Sequence, residues 1–265
     1  MNTRLKEFFS VCSRDDLSFD HSIYSYIREY FPLTQNASLA KKCLVVGGDG
    51  TMLRSVTSNP DSIHIGLHVG DEHSVGHLMN EIDGRNLEEI REGKICIIKC
   101  YFLEAKLFSG DELVETVYGF NDIYSDRLTR QASTVRIWQD GKILFNSLRC
   151  DGIITATPAG STAYNANANG LILQPGDERW VMTGNNTPYR LKWKTSLLDK
   201  RDEITIEVME LEKRPVVFVV DGREINSSTA INRAVLKRSD KFVKLGFAEN
   251  SSFCRRNGIR RRRNG

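Results

Sequence analysis

The sequence predicts an α/β domain followed by a β-rich domain, and three observations carry that expectation. The run Cys43-Leu44-Val45-Val46 reads as a strand buried on both faces; it enters the glycine turn Gly47-Gly48-Asp49-Gly50, and a helix follows over Thr51 to Ser58. A second short strand, Ser62 to Leu67, comes after the Asn59-Pro60-Asp61 turn, and strand, helix, strand implies a parallel layer. After Gly93 the pattern changes to successive strands punctuated by Gly and Asp turns. The expected organisation is an α/β domain over 1–93, a β-rich domain over 94–247, and a basic tail over 248–265 that can return to the first domain.

Taken in order, Met1 to Leu33 carries helical signals: Ile23, Ile27 and Tyr30 recur at i, i+4 and i+7 beside Tyr26, and Pro32 closes the run. Thr34 to Lys42 reads as a link. His68 to His77 falls at the carboxyl end of the second strand, where ligands gather in open α/β sheets, so it is placed to touch substrate. His64, His68, His73 and His77 crowd this region. Two glycines interrupt them and a zinc site needs ligands at fixed geometry, so a solvated or substrate-lining loop is the better reading. A helix over Asn86 to Glu92 leads to strands over Lys94 to Phe108, Leu113 to Tyr124, Ser133 to Gln139, Lys142 to Leu148 and Asp151 to Ala156. Glu203 to Val208, Val216 to Val220 and Val235 to Phe247 continue the β pattern, with Asp140-Gly141 and Asp221-Gly222 as turn signals. A cleft between two such domains is a usual place for a ligand.

Composition narrows the function classes. The 265 residues are 40% apolar and 27% charged, and a net charge of +3 suits anionic small molecules without demanding nucleic acid. No apolar run reaches bilayer length, and Met1 to Ser10 carries charges where a signal peptide is apolar, so a cytoplasmic protein without a membrane partner is expected. Six cysteines without a Cys-x-x-Cys pair point to a reduced interior. Cys96 and Cys100, roughly 13 Å apart along a strand, read as core residues. The basic run Arg255 to Arg263 reads as a solvated tail or an inter-subunit contact.

The glycine turn is the grammar of a phosphate site. Gly47, Gly48 and Gly50 let the backbone take positive φ and approach a ligand, and the first N–H groups of the helix beginning at Thr51 would face an anion. Asp49 is the odd member. A carboxylate among anion-favouring donors repels phosphate unless it binds a metal, holds a hydroxyl or takes a proton, which suggests phosphoryl transfer to an alcohol. The run lacks the Gly-Lys-Ser/Thr ending of a Walker A loop and does not fit the dinucleotide fingerprint. Further on, Asn121-Asp122 suits reading a base edge or ribose hydroxyls, although Asn-Asp is also a common turn pair. Arg149 to Gly170 joins a buried strand to small residues that let a planar ligand lie against the backbone. There Tyr164 can stack or donate its hydroxyl, Thr162 can offer a hydroxyl, and Arg149 can hold a phosphate as a fork.

Gly-Gly-Asp-Gly-Thr is similar to the signature shared by NAD kinases, diacylglycerol and sphingosine-type lipid kinases and, more distantly, phosphofructokinases. With Asn121-Asp122 and the Thr157-Pro158-Ala159-Gly160-Ser161-Thr162-Ala163-Tyr164 run, in that order and at similar spacings, the chain resembles the NAD kinase family from about Cys43 to Gly170. The resemblance implies a Rossmann-like α/β domain and a β-sandwich-like domain, with transfer of the ATP γ-phosphoryl group, with Mg²⁺, to the 2′-hydroxyl of the adenosine ribose of NAD. It implies that Asp49 is the proton acceptor, that Gly48, Gly50 and Thr51 face phosphates, and that Asn121 and Asp122 contact the dinucleotide. It further implies that Asp151 holds the nicotinamide end, that Thr162, Ala163, Tyr164, Asn165 and Asn167 line the coenzyme, that Arg149 faces a phosphate, and that the assembly is a homodimer or homotetramer. Asp122 is shorter than the family's usual Glu, Asn167 replaces a common Ser, His68 stands where many members have Asn, and extra residues follow it. The Asp221-Gly222-Arg223 turn resembles a late Asp-Gly-Gln signature and is assigned no role. A GGDGT-type lipid or small-alcohol kinase and a non-catalytic NAD- or NADP-binding sensor remain the alternatives.

Overall fold

The computed structural model describes residues 8–13, 22–34, 40–69 and 76–256. The chain runs β1 (Phe8–Ser13), α1 (Ser22–Tyr30), β2 (Ala40–Gly47), α2 (Asp49–Ser58), β3 (Ile63–His68), α3 (Gly84–Arg91), β4 (Ile95–Ser109) and β5 (Glu112–Gly119). It continues through β6 (Asp122–Arg127), β7 (Ser133–Gln139), β8 (Lys142–Cys150), β9 (Gly152–Ala156), a 3-10 turn (Gly160–Thr162), α4 (Tyr164–Asn167) and β10 (Trp180–Asn185). After β11 (Thr195–Leu198) come β12 (Glu203–Met209), β13 (Val216–Val220), β14 (Arg223–Glu224), β15 (Arg233–Ala248) and α5 (Ser252–Arg256). Two compact units result, Met1–Lys99 with Val243–Gly265, and Cys100–Phe242. The expected boundaries lay at 93/94 and 247/248; the units divide after Lys99 and after Phe242, inside β4 and β15, because a strand long enough to serve both units leaves no linker for composition to reveal.

In the first unit β1, β2, β3 and the end of β15 are neighbouring parallel strands. Leu44, Val46, Ile65 and Leu67 from the strands pack with Ile23, Ile27, Leu87 and Ile90 from helices, which is the continuous burial a parallel layer demands. The helical reading of Met1 to Leu33 is corrected at Phe8–Ser13, which forms a strand. Pairing with β2 and an edge-on contact between Phe9 and Phe31 at 5.2 Å hold it, and neither is visible locally. In α1 the core positions are Ile23, Tyr24 and Ile27, while Tyr30 is exposed and stacks on Tyr26. α3 begins as a capped helix, with the Asp83 carboxylate accepting the Asn86 N–H at 2.7 Å.

The second unit holds an antiparallel sheet in the order β11-β10-β9-β6-β13-β14, and β4, β5, β7, β8, β12 and the first part of β15 as further strands. Leu103, Val135, Ile137, Ile204 and Leu236 share one buried cluster with Ile153, Trp180, Met182 and Phe218 of the antiparallel sheet. The strand expected over Leu113 to Tyr124 breaks at Phe120-Asn121, because β5 pairs with β4 whereas β6 pairs with β9 and β13. β10 and β11, unassigned from sequence, supply Trp180, which is fully buried with its indole N–H donating to Asp199 O. Burial pushes the thiols of Cys96 and Cys100 up to about 12, in keeping with core positions. Among the described residues no helix is long and apolar enough to cross a membrane.

A buried polar chain fastens α2 to its two strands. The Ser55 hydroxyl of α2 donates to His64 Nδ1 of β3 at 2.9 Å and lies 3.4 Å from Cys43 Sγ of β2. Nε2–H of the same ring donates to Asn59 O at 2.9 Å, which assigns the tautomer from the partner. Burial lowers the His64 pKa from its ordinary 6.5, so the native ring is neutral. The stability that it contributes is full above that ordinary value and is lost as pH falls through the lowered one. His64→Gln should therefore cost about 1–2 kcal/mol at pH 7.5, with the gap to wild type narrowing by pH 5, measured by urea unfolding at both pH values. A gap of equal size at both would show that the imidazole proton plays no part.

Candidate functional site

The glycine turn is built from the end of β2. The valine-rich strand delivers Gly47 and Gly48 to the start of α2, whose N-cap is Gly48 without a side-chain cap; of the three glycines expected at positive φ only Gly47 has it, because Gly48 is extended at φ −121° and Gly50 is already helical. Expectation placed the helix start at Thr51; the helix opens at Asp49, and the Thr51 and Met52 N–H groups both donate to Gly48 O. The open donors are therefore those of Asp49 and Gly50, whose N–H groups have no hydrogen-bond partner among the described residues. A Cβ added to Gly50 meets nothing within 4 Å, so the space over the turn is free on that side.

Asp49 is half-buried, and its two oxygens accept the backbone N–H groups of Leu78 at 2.9 Å and His77 at 3.0 Å. Helix polarity favours a carboxylate at this end, and each oxygen keeps lone-pair capacity for a further donor such as a hydroxyl. The carboxylate thus ties the segment after β3 to the phosphate-type turn. Of the His68 to His77 segment, residues 70–75, with His73, lie outside the described residues, as does the Arg-rich tail from residue 257 onward. Gly76 lies against the His68 ring, where an added Cβ would approach to 2.5 Å. Sequence reasoning missed Asn80. Its buried amide donates to Gly66 O and Gly246 O and accepts from Ala248 N–H, joining β3 to β15. An isolated Asn after a histidine-rich loop carries no pattern that announces this.

In the second unit Asn121 and Asp122 sit at the corner between β5 and β6, with the segment after β9 against them. Thr157 N–H donates to Asn121 O at 2.9 Å, Thr157 Oγ1 donates to Phe120 O at 2.6 Å, and a Cβ on Gly160 would lie 2.1 Å from Asn121 O. Only glycine permits that approach. The structure thereby brings Asn121, Asp122 and the Gly160 to Tyr164 segment together. Tyr164 packs edge-on against Tyr124 at 4.8 Å and its hydroxyl accepts from Asn185 Nδ2 at 2.9 Å. Asp151 pairs with Arg127 Nε at 2.5 Å and accepts from Asn186 Nδ2 at 3.0 Å. Burial first, then Asp126, Asp151 and Asp122, raise the Tyr164 pKa, so these acidic groups share one electrostatic environment.

Thr162 and Ala163 are half-buried beside Tyr164, and Asn167 is exposed at the end of α4. Arg149 is exposed on β8 opposite Thr134, and its guanidinium has no hydrogen bond or ion pair among the described residues. Asn165 requires correction as a lining residue. It is fully buried, with Nδ2 donating to Ser161 O and Leu171 O and Oδ1 accepting from Thr183, so its side chain shapes the segment and offers nothing to a ligand. Arg127, Asn185 and Asn186 went unassigned to these contacts; Arg127 N–H donates to Asp151 O and Asp151 N–H to Asn185 O, so backbone bonds between segments distant in the chain set their places.

The description "ATP-NAD kinase C-terminal domain" matches residues 128–245. An NAD kinase of Brucella melitensis is 35% identical over 217 residues, covering 80% of this chain and 81% of that protein. The chain belongs to the NAD kinase family. In fold it is similar to a yeast NADH kinase crystallised with NADH, with TM-score 0.72 and 18% identity over 91% of this chain and 83% of that one. It is also similar to an Archaeoglobus fulgidus NAD kinase in complex with ATP, with TM-score 0.68 and 19% identity over 94% and 96%. The family description spans most of the second unit, and the likeness in fold extends over 91% and 94% of this chain.

Asp122 stands apart from its neighbours. It is 4% exposed, no donor among the described residues bonds its carboxyl, and burial followed by the nearby Asp221 raises its pKa to about 7. A raised carboxyl favours the folded state fully below its ordinary pKa of 3.8, and that contribution is lost as pH rises through about 7. Asp122→Asn should then stabilise the protein by about 2–4 kcal/mol at pH 8 and change it little at pH 4, read by urea unfolding. An identical effect at the two pH values would place the Asp122 titration elsewhere.

Proposed function

We propose that this protein transfers the ATP γ-phosphoryl group to the 2′-hydroxyl of the adenosine ribose of NAD, giving NADP. Membership of the NAD kinase family supports that reading, and the single observation that carries the chemistry is Asp49 at the mouth of the glycine turn. Its carboxylate is held by two backbone donors while retaining acceptor capacity, the arrangement needed to orient a hydroxyl and take its proton as the P–O bond forms. The open N–H groups of Asp49 and Gly50 at the start of α2 favour phosphate charge. Asn121, Asp122, Asp151, Thr162, Ala163 and Tyr164 grip the coenzyme, and Arg149, whose guanidinium has no partner among the described residues, supplies a cation for phosphate. Among the described residues no three His, Cys, Asp or Glu side chains form a cation cage. Mg²⁺ is commonly held by substrate phosphates with one or two carboxylates, and it would supply charge neutralisation on the ATP. On the same reading the protein works in the cytoplasm as a homodimer or homotetramer. Family membership favours this activity over a lipid kinase and over a non-catalytic sensor.

Incubation with ATP, Mg²⁺ and NAD should yield NADP, whereas diacylglycerol or sphingoid bases should not be phosphorylated. Asp49→Asn should lower kcat about 100-fold or more while the Kd for NAD stays within about threefold, measured by coupled assay and calorimetry. An Asn variant with wild-type kcat would remove Asp49 from proton transfer. Because the amide turns an NH₂ toward one of the two backbone donors, circular dichroism should accompany the kinetics.

A further inference from the structure

Asp221 opens the two-residue turn between β13 and β14, with Val220 paired to Arg223 across it and φ of 49° at Asp221 and 76° at Gly222. This is the type I′ hairpin, in which an Asp can serve the turn alone. Here the carboxylate reaches a different part of the chain. Oδ2 accepts the Phe120 N–H at 2.8 Å, and Oδ1 accepts those of Asn121 at 2.7 Å and Asp122 at 3.2 Å. The Asp221 N–H in turn donates to Asp122 O at 3.1 Å. With Thr157 bonding Phe120 O and Asn121 O, the corner is gripped by the hairpin turn and by the segment after β9. Nothing internal to a hairpin needs a charged acceptor with three consecutive distant donors.

We propose that Asp221 is a positioning residue for coenzyme binding: its carboxylate fixes the Phe120-Asn121-Asp122 backbone so that the Asn121 amide and the Asp122 carboxyl meet the dinucleotide in one geometry. The inference rests on the reading of Asn121 and Asp122 as coenzyme contacts. The groups facing Asp122 are Asp221 from the hairpin, Tyr124 on its own strand and Tyr164 from α4; Ala156, its partner on β9, carries no charge. Arg223 partly offsets the Asp221 charge. Near neutral pH Asp122 therefore exchanges between a carboxyl that donates and a carboxylate that only accepts.

Two variants separate the roles. Asp221→Gly relaxes the left-handed turn while deleting the carboxylate, and Asp221→Asn keeps one oxygen but removes the charge. The KM for NAD should rise about tenfold or more in the Gly variant and about threefold in the Asn variant, with smaller losses in kcat. In Asp221→Asn the apparent pKa near 7 in the pH profile of KM for NAD should move about one unit or more to lower pH. Carbon-detected NMR titration of the Asp122 carboxyl in the ligand-free wild type and Asn variant should show the same displacement, and it needs no coenzyme. Wild-type KM for NAD and an unmoved profile would reduce Asp221 to a turn residue and overturn the proposal. Should wild type neither bind nor phosphorylate NAD, the coenzyme role falls with the functional reading; an Asp122 titrating alike in both proteins overturns the clamp whatever NAD does.

Discussion

A carboxylate that collects backbone N–H groups is a rigid fixed point, since a charged acceptor forms hydrogen bonds roughly twice as strong as neutral ones and the donors belong to planar peptides. The protein uses this device in both units. Asp49 holds the chain at His77 and Leu78 against the start of α2, and Asp221 holds Phe120, Asn121 and Asp122 against the β13–β14 turn. In each case the anchored segment is a loop or corner with few ladder bonds of its own. The carboxylate replaces the missing ladder, so a segment that sequence marks as irregular is held in one place.

Saturated polar side chains extend the same logic behind these segments. Asn80 completes three bonds between β3 and β15, Asn165 completes three around the 3-10 turn, and the Ser161 hydroxyl bonds Pro158 O, Leu173 O and Leu173 N. Each is buried, where an unmet donor or acceptor costs on the order of 1–3 kcal/mol, so each rigidly defines its surroundings. By contrast, the side chains of Asn121, Thr162 and Arg149 form no hydrogen bond among the described residues. Spent polar groups behind and unspent ones in front is the arrangement of a preorganised site.

Electrostatics separates the acidic groups further. Asp122 and Asp126 both have raised pKa values, with burial as the leading cause in each, while Asp151 has the Arg127 guanidinium beside it. Carboxyls of such different surroundings within one small region can present both donors and acceptors to a ligand near neutral pH.

Much was determined by the sequence alone: the glycine turn after a buried strand, the burial of Val45 and Val46, the hairpin at Asp221-Gly222 and the family-wide motif order are local patterns, and local φ/ψ preferences and side-chain periodicity suffice to read them. Tertiary structure alone decided that Phe8–Ser13 is a strand, that Asn165 faces inward, that the open helix donors belong to Asp49 and Gly50, and that the Asp221 carboxylate serves residues lying 99 to 101 positions earlier. These outcomes depend on which backbone groups lack a partner once the strands have paired, and strand pairing joins residues whose separation in the chain leaves no periodic trace.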